Sequence, residues 1–150
     1  MPPIRLVIAD DHAPFREGLK RMFLFEQDIA VVGEASNGDE VADVVQSAKP
    51  DVLLLDLKMP RGDVTQTLRK VGEKNPSTRV LVLTAFAEEE KVINVARSGA
   101  RGYLLKGVDS GTLLQAVKTV HAGEVWIDTE APAAEAFEKI ARSISSGSIH

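Results

Sequence analysis

Apolar residues fall into short blocks along the chain, at 4–9, 30–35, 52–55, 80–83 and 102–105, most of them rich in Val, Ile and Leu. Blocks of this length and composition read as strands. Between them, at 13–25, 39–48, 64–73, 88–98 and 110–121, the apolar positions recur at helical spacing. Strand and helix thus alternate five times. That pattern predicts an α/β fold with a parallel sheet and helices on both faces, because parallel strands need crossover connections, almost always right-handed. The blocks at 52–55 and 80–83 are apolar throughout, as expected of strands covered on both faces. Gly99 is placed to close the fourth helix, Asn37-Gly38 to turn the chain before the second, and Asn75-Pro76 to end the third.

After His121 the pattern changes. Residues 123–127 form a short apolar stretch holding the single tryptophan, and 131–144 has helical spacing with Phe137, Ile140 and Ile144 on one face. The Ser/Gly-rich run at 143–148 reads as a frayed end. The segment is expected to be an appendage that packs on the main domain or on a second subunit. The 150 residues, 44% hydrophobic and 27% charged, suit one compact domain with a single core. A net charge of −4 gives no broad positive footprint for nucleic acid or an anionic membrane. The absence of cysteine excludes disulfides and thiolate metal sites. With neither a signal-peptide pattern nor an apolar run near the ~20 residues of a membrane span, the expectation is a cytoplasmic protein.

In open α/β sheets the chemistry collects at the carboxyl ends of the strands. There the first block is followed by Asp10-Asp11, the third by Asp56, the fourth by Thr84 and the fifth by Lys106. Each alone has an ordinary explanation: a helix N-cap for the aspartates, a solvated strand end for Thr84, a surface charge for Lys106. Together they put three carboxylates on one edge, and mutual repulsion there calls for a cation. Mg²⁺ suits a site of oxygen ligands, and a carboxylate beside it can take up an activated phosphoryl group. Lys106 would then serve as a point charge and Thr84 as a hydroxyl donor.

With these residues placed, the chain strongly resembles the receiver domain of bacterial two-component response regulators over about residues 4–122. The resemblance rests on Val-Ile-Ala-Asp-Asp-His at 7–12, Leu-Leu-Leu-Asp-Leu-Lys-Met-Pro at 53–60, Leu-Thr-Ala at 83–85 and Gly-Tyr-Leu-Leu-Lys at 102–106. It implies a flavodoxin-like, doubly wound (βα)5 sandwich of three layers, with a five-stranded sheet in the order 2-1-3-4-5. Residues 1–122 would form the receiver and 123–150 a linker or helical tail. It further implies that Asp56 is the phosphoryl acceptor, that Asp11 and the Lys58 backbone carbonyl bind Mg²⁺, and that Asp10 acts largely through a coordinated water. Thr84 and Lys106 would contact the phosphoryl group, and Tyr103 would be a switch aromatic whose ring turns inward when Thr84 moves toward the phosphate. Lys58 and Phe86 flank the site at positions that tune phosphoryl lifetime in the family, and Ala85 is small enough to leave access open.

Asp-Asp-His at 10–12, Glu-Ala-Ser-Asn-Gly at 34–38, Ser-Gly-Ala-Arg-Gly-Tyr at 98–103 and His-Ala-Gly-Glu at 121–124 resemble NarL/LuxR-type transcriptional regulators. That likeness implies a partner histidine kinase, a homodimer on phosphorylation, and DNA contact through an output domain outside this segment. The alternatives are a single-domain receiver working through protein contacts, and a phosphohydrolase of the haloacid-dehalogenase type. The second expects an aspartate two residues after the nucleophile, where this chain has Lys58.

Overall fold

The structure is a computed structural model and describes residues 2–85, 88–128 and 133–145. Strands β1 (Ile4–Ala9), β2 (Ile29–Ala35), β3 (Val52–Leu55), β4 (Arg79–Thr84) and β5 (Gly102–Leu105) alternate with helices α1 (Ala13–Leu24), α2 (Gly38–Ala48), α3 (Val64–Lys74), α4 (Glu89–Arg97) and α5 (Ser110–His121). All strand pairs are parallel. Side chains of successive strand residues point to opposite faces, so the sheet separates two apolar clusters. Val7, Leu53, Leu55, Val80 and Val82 meet α2, α3 and α4 on one face. Leu6, Ile8, Leu54, Leu81 and Leu83 meet α1 and α5 on the other. Every residue of β3 is buried, as its uniformly apolar sequence requires.

The expected order 2-1-3-4-5 is corrected by one strand. The sheet runs β2-β1-β3-β4-β5-β6, the sixth being β6 (Trp126–Ile127), paired in register Gly102↔Trp126 and Tyr103↔Ile127. Two residues are too few to show an alternating pattern, so 123–127 carried no strand signal beyond being apolar. The turn is made by Gly123 at φ 93°, and the Arg101 side chain donates to its carbonyl oxygen. The Trp126 N–H then bonds to the Arg101 carbonyl at 3.1 Å and the Asp128 N–H to the Tyr103 carbonyl at 3.0 Å.

Helix boundaries follow local chemistry. Asn37, Asp63 and Asp109 cap α2, α3 and α5, each side chain accepting a backbone N–H of the first turn. Gly99, at φ 104°, follows Ser98 and turns the chain out of α4. The tail helix is α6 (Ala134–Ser145), later by a few residues than the 131–144 expected. Residues 143–145 of the run expected to fray continue the helix, because Ile144 is half-buried on the face of Phe137 and Ala141. Residues 131, 132 and 146–148 of these segments lie outside the described residues, as does Phe86.

Candidate functional site

The parallel ladder delivers the expected residues to one edge. Beyond the last residue of β1, the Asp10 N–H bonds to the Ala35 carbonyl at 3.0 Å; beyond β3, the Asp56 N–H bonds to the Ala9 carbonyl at 2.9 Å. Beyond β5, the Lys106 N–H bonds to the Thr84 carbonyl at 2.7 Å. Asp10, Asp56 and Lys106 are thus each held by the neighbouring strand.

Asp10, Asp11 and Asp56 each offer an oxygen within 4.8 Å of the others. Asp10 and Asp56 are buried and Asp11 is exposed. The Lys106 ammonium lies between the buried pair, 2.5 Å from Asp10 Oδ2 and 3.1 Å from Asp56 Oδ2. The second oxygen of each aspartate faces its own loop. Asp10 Oδ1 accepts the His12 N–H at 2.7 Å, and Asp56 Oδ1 accepts the Lys58 N–H at 3.1 Å. Thr84 ends β4 fully buried, and Ala85 beyond it is exposed.

Burial raises the Asp10 pKa above the usual carboxylate range; the charge of Asp56 adds to the rise, while the bonds from Lys106 and His12 hold it back. Burial pulls Lys106 the other way, but its bonds to Asp10 and Asp56 outweigh that pull and its pKa is raised. Lys106 is therefore an ammonium in service as a counter-ion. The donor set fits Mg²⁺: all the offered side-chain atoms are hard carboxylate oxygens, and Asp10 beside Asp56 carries a charge conflict that a cation relieves.

Three neighbours support the site in ways the sequence did not mark. Phe15, in the first turn of α1, lies under Lys106 with the ammonium 4.3 Å from the ring centroid, a cation–π contact that steers the side chain. Arg16 donates to the Asp10 carbonyl oxygen at 2.5 Å and to Glu34 at 3.1 Å. Gly38 does more than form a turn: a Cβ there would lie 2.1 Å from the Arg61 carbonyl oxygen. The close approach, with Gly38 N–H bonded to the Pro60 carbonyl at 3.0 Å, fixes the loop that carries Lys58. Apart from the Arg16 bond to the Asp10 carbonyl, these contacts join residues far apart in the chain, so spacing alone could not reveal them.

Tyr103 lies away from the acidic cluster. Its register partner in β4 is Val82, and its ring is fully buried among the residues of the α4 face. Its hydroxyl is buried without a hydrogen-bond partner among the described residues, and burial, then the charge of Asp128, pushes its pKa up to about 12.

The profile of the response regulator receiver domain family matches residues 6–118. The oxygen regulatory protein NreC of Staphylococcus haemolyticus is 42% identical over 126 residues, covering 83% of this chain and 58% of that protein. The chain thus spans somewhat over half the length of such relatives. The signal receiver domain of the response regulator NarL from Mycobacterium tuberculosis superposes with TM-score 0.77 at 35% identity, covering 83% of this chain and all of that one. A LuxR-family two-component response regulator from Aurantimonas also superposes with TM-score 0.77, at 25% identity and 99% coverage of both chains. On the profile match and these relatives, the chain belongs to the response regulator receiver domain family, in its NarL/LuxR-type branch.

Proposed function

We propose that this chain is a Mg²⁺-dependent phosphorylation switch with Asp56 as acceptor. The observation that carries the reading is Lys106 held at 3.1 Å from a buried Asp56 that is flanked by two further carboxylates. In the transfer, an Asp56 oxygen forms a bond to phosphorus as the donor's bond to its leaving group breaks. With a phosphohistidine on a partner kinase as donor, the broken bond is P–N and the imidazole leaves. Asp10, Asp11, Asp56 and the Lys58 carbonyl would hold the metal, which supplies charge neutralisation for the phosphoryl oxygens. Lys106 is placed to exchange its bond to Asp56 for one to a phosphoryl oxygen, and the Thr84 hydroxyl to donate to another. The His12 and Lys58 amides keep the aspartates oriented.

The chain turns over only its own phosphoryl group. Lys58 occupies the position where a phosphohydrolase would need a second acid/base carboxylate. Transcriptional output through a DNA-binding domain, dimerisation on phosphorylation and a cytoplasmic location complete the proposal, drawn from the NarL/LuxR-type relatives. Among the described residues no helix is long and apolar enough to cross a membrane. The test is intact mass after incubation with acetyl phosphate and Mg²⁺. One phosphoryl adduct on the wild type, lost with EDTA and in Asp56→Asn, is expected; an equal adduct on Asp56→Asn would overturn the assignment.

A further inference from the structure

The α4–β5 face is not open in this structure: α6 lies on it. Phe137 and Ala141 are fully buried, Ile140 and Ile144 are half-buried, and Glu135, Lys139 and Arg142 face outward. The seat is made by Val92, Val95 and Ala96 of α4 together with Tyr103 of β5, all in one apolar cluster with Phe137. Phe137 meets the Tyr103 ring edge-on, with centroids 5.9 Å apart and planes at 80°. Tyr103 holds this buried position although its hydroxyl has no partner among the described residues, whereas a turn toward solvent would hydrate it.

We propose that α6 is the occupant of an interaction surface on the α4–β5 face, and that Phe137 clamps Tyr103 in its buried position before any phosphoryl group is present. The ring lies one short strand from the site: Tyr103 and Lys106 are three residues apart on one segment, and Thr84 pairs with Leu105 across the ladder. This coupling rests on the reading of Asp56 as acceptor. If phosphorylation and α6 both favour a buried Tyr103, each strengthens the other by linkage. The tail then sets the resting bias of the switch, and phosphorylation tightens it onto the face.

The chain has a single tyrosine, so 3-fluorotyrosine labelling of the full chain gives one ¹⁹F resonance. Without phosphoryl donor, a soluble gadolinium chelate should leave the wild-type resonance sharp and broaden it severalfold in Phe137→Ala. Ala141→Glu, which drives α6 off its seat without substituting either ring, should do the same. With acetyl phosphate and Mg²⁺, both variants should reach severalfold lower phosphoryl occupancy than wild type, and α6 amides of the wild type should exchange more slowly once it is labelled. A tyrosine still protected in both variants overturns the clamp. Equal occupancy, or α6 amides whose exchange is unchanged or faster on labelling, overturns the coupling. Failure of the wild type to take up any phosphoryl group would remove the Asp56 reading instead, and the donor-free resonance would still decide whether Phe137 holds Tyr103.

Discussion

Lys106 bonds Asp10 Oδ2 and Asp56 Oδ2, two of the carboxylates that the proposed Mg²⁺ would also bind, so the side chain and the ion are expected to compete for them. Replacing Lys106 with Met should separate two properties. Phosphoryl uptake from acetyl phosphate should fall at least about tenfold, as expected when a charge-assisted contact to the transferred group is lost. Mg²⁺ should raise the melting temperature of the variant more than that of wild type, because the ion no longer displaces an ammonium. A smaller shift would show that Lys106 does not compete with the ion. Tyr103 gives a second residue-scale prediction. Its folded pKa, about 12, lies above the ordinary tyrosine value of 10. Folding therefore favours the neutral phenol, stability is untouched below pH 10, and at most about 3 kcal/mol is lost as pH rises from 10 toward 12. Ultraviolet titration of this sole tyrosine should show tyrosinate appearing near pH 12, and an inflection near 10 in the folded chain would contradict its burial.

At the scale of elements, Gly38 shows how a turn residue controls a distant loop. In Gly38→Ala the new methyl would meet the Arg61 carbonyl at 2.1 Å, and backbone must move to admit it. The expected cost is about 1–3 kcal/mol in urea denaturation, in the range of overpacking, with slower phosphoryl uptake because the displaced loop carries Lys58. Unchanged stability and uptake would mean that the loop is not held there. The tail helix should matter comparably: Phe137→Ala removes a fully buried ring and should cost up to about 3–5 kcal/mol, less if α6 comes off as a unit. The five strands and five helices of 4–121 were legible because each is either an apolar block of four or more residues or a repeat at helical spacing. β6 was not, since its two residues gain their place only from pairing with β5. The seat of α6 was half-legible: Phe137, Ile140 and Ile144 marked an apolar face, while the surface it covers is assembled from α4 and β5.

For the molecule as a whole, the parallel topology turns four separate strand ends, those of β1, β3, β4 and β5, into one site. That is why the candidate residues could be read in order from the sequence, each standing just past an apolar block. The supports were less visible. Phe15 beneath Lys106, Arg16 on the Asp10 carbonyl and Gly38 against Arg61 join segments with no shared periodicity, and only the folded chain brings them together. The same assembly sets three carboxylates beside Lys106, so the protein is expected to be stabilised by Mg²⁺, by roughly 3 kcal/mol at a hundredfold excess over its dissociation constant. Calorimetric melting with Mg²⁺ and after EDTA reads this directly, and a melting temperature indifferent to both would argue against a metal site in the cluster. The phosphoryl group is expected on Asp56 and nowhere else. After reaction with acetyl phosphate and Mg²⁺, borohydride reduces an aspartyl phosphate to homoserine, which peptide mass spectrometry can place. Homoserine at position 56 alone is the predicted result; homoserine at 10 or 11, or a stable phosphate on a serine or histidine with none at 56, would contradict the account.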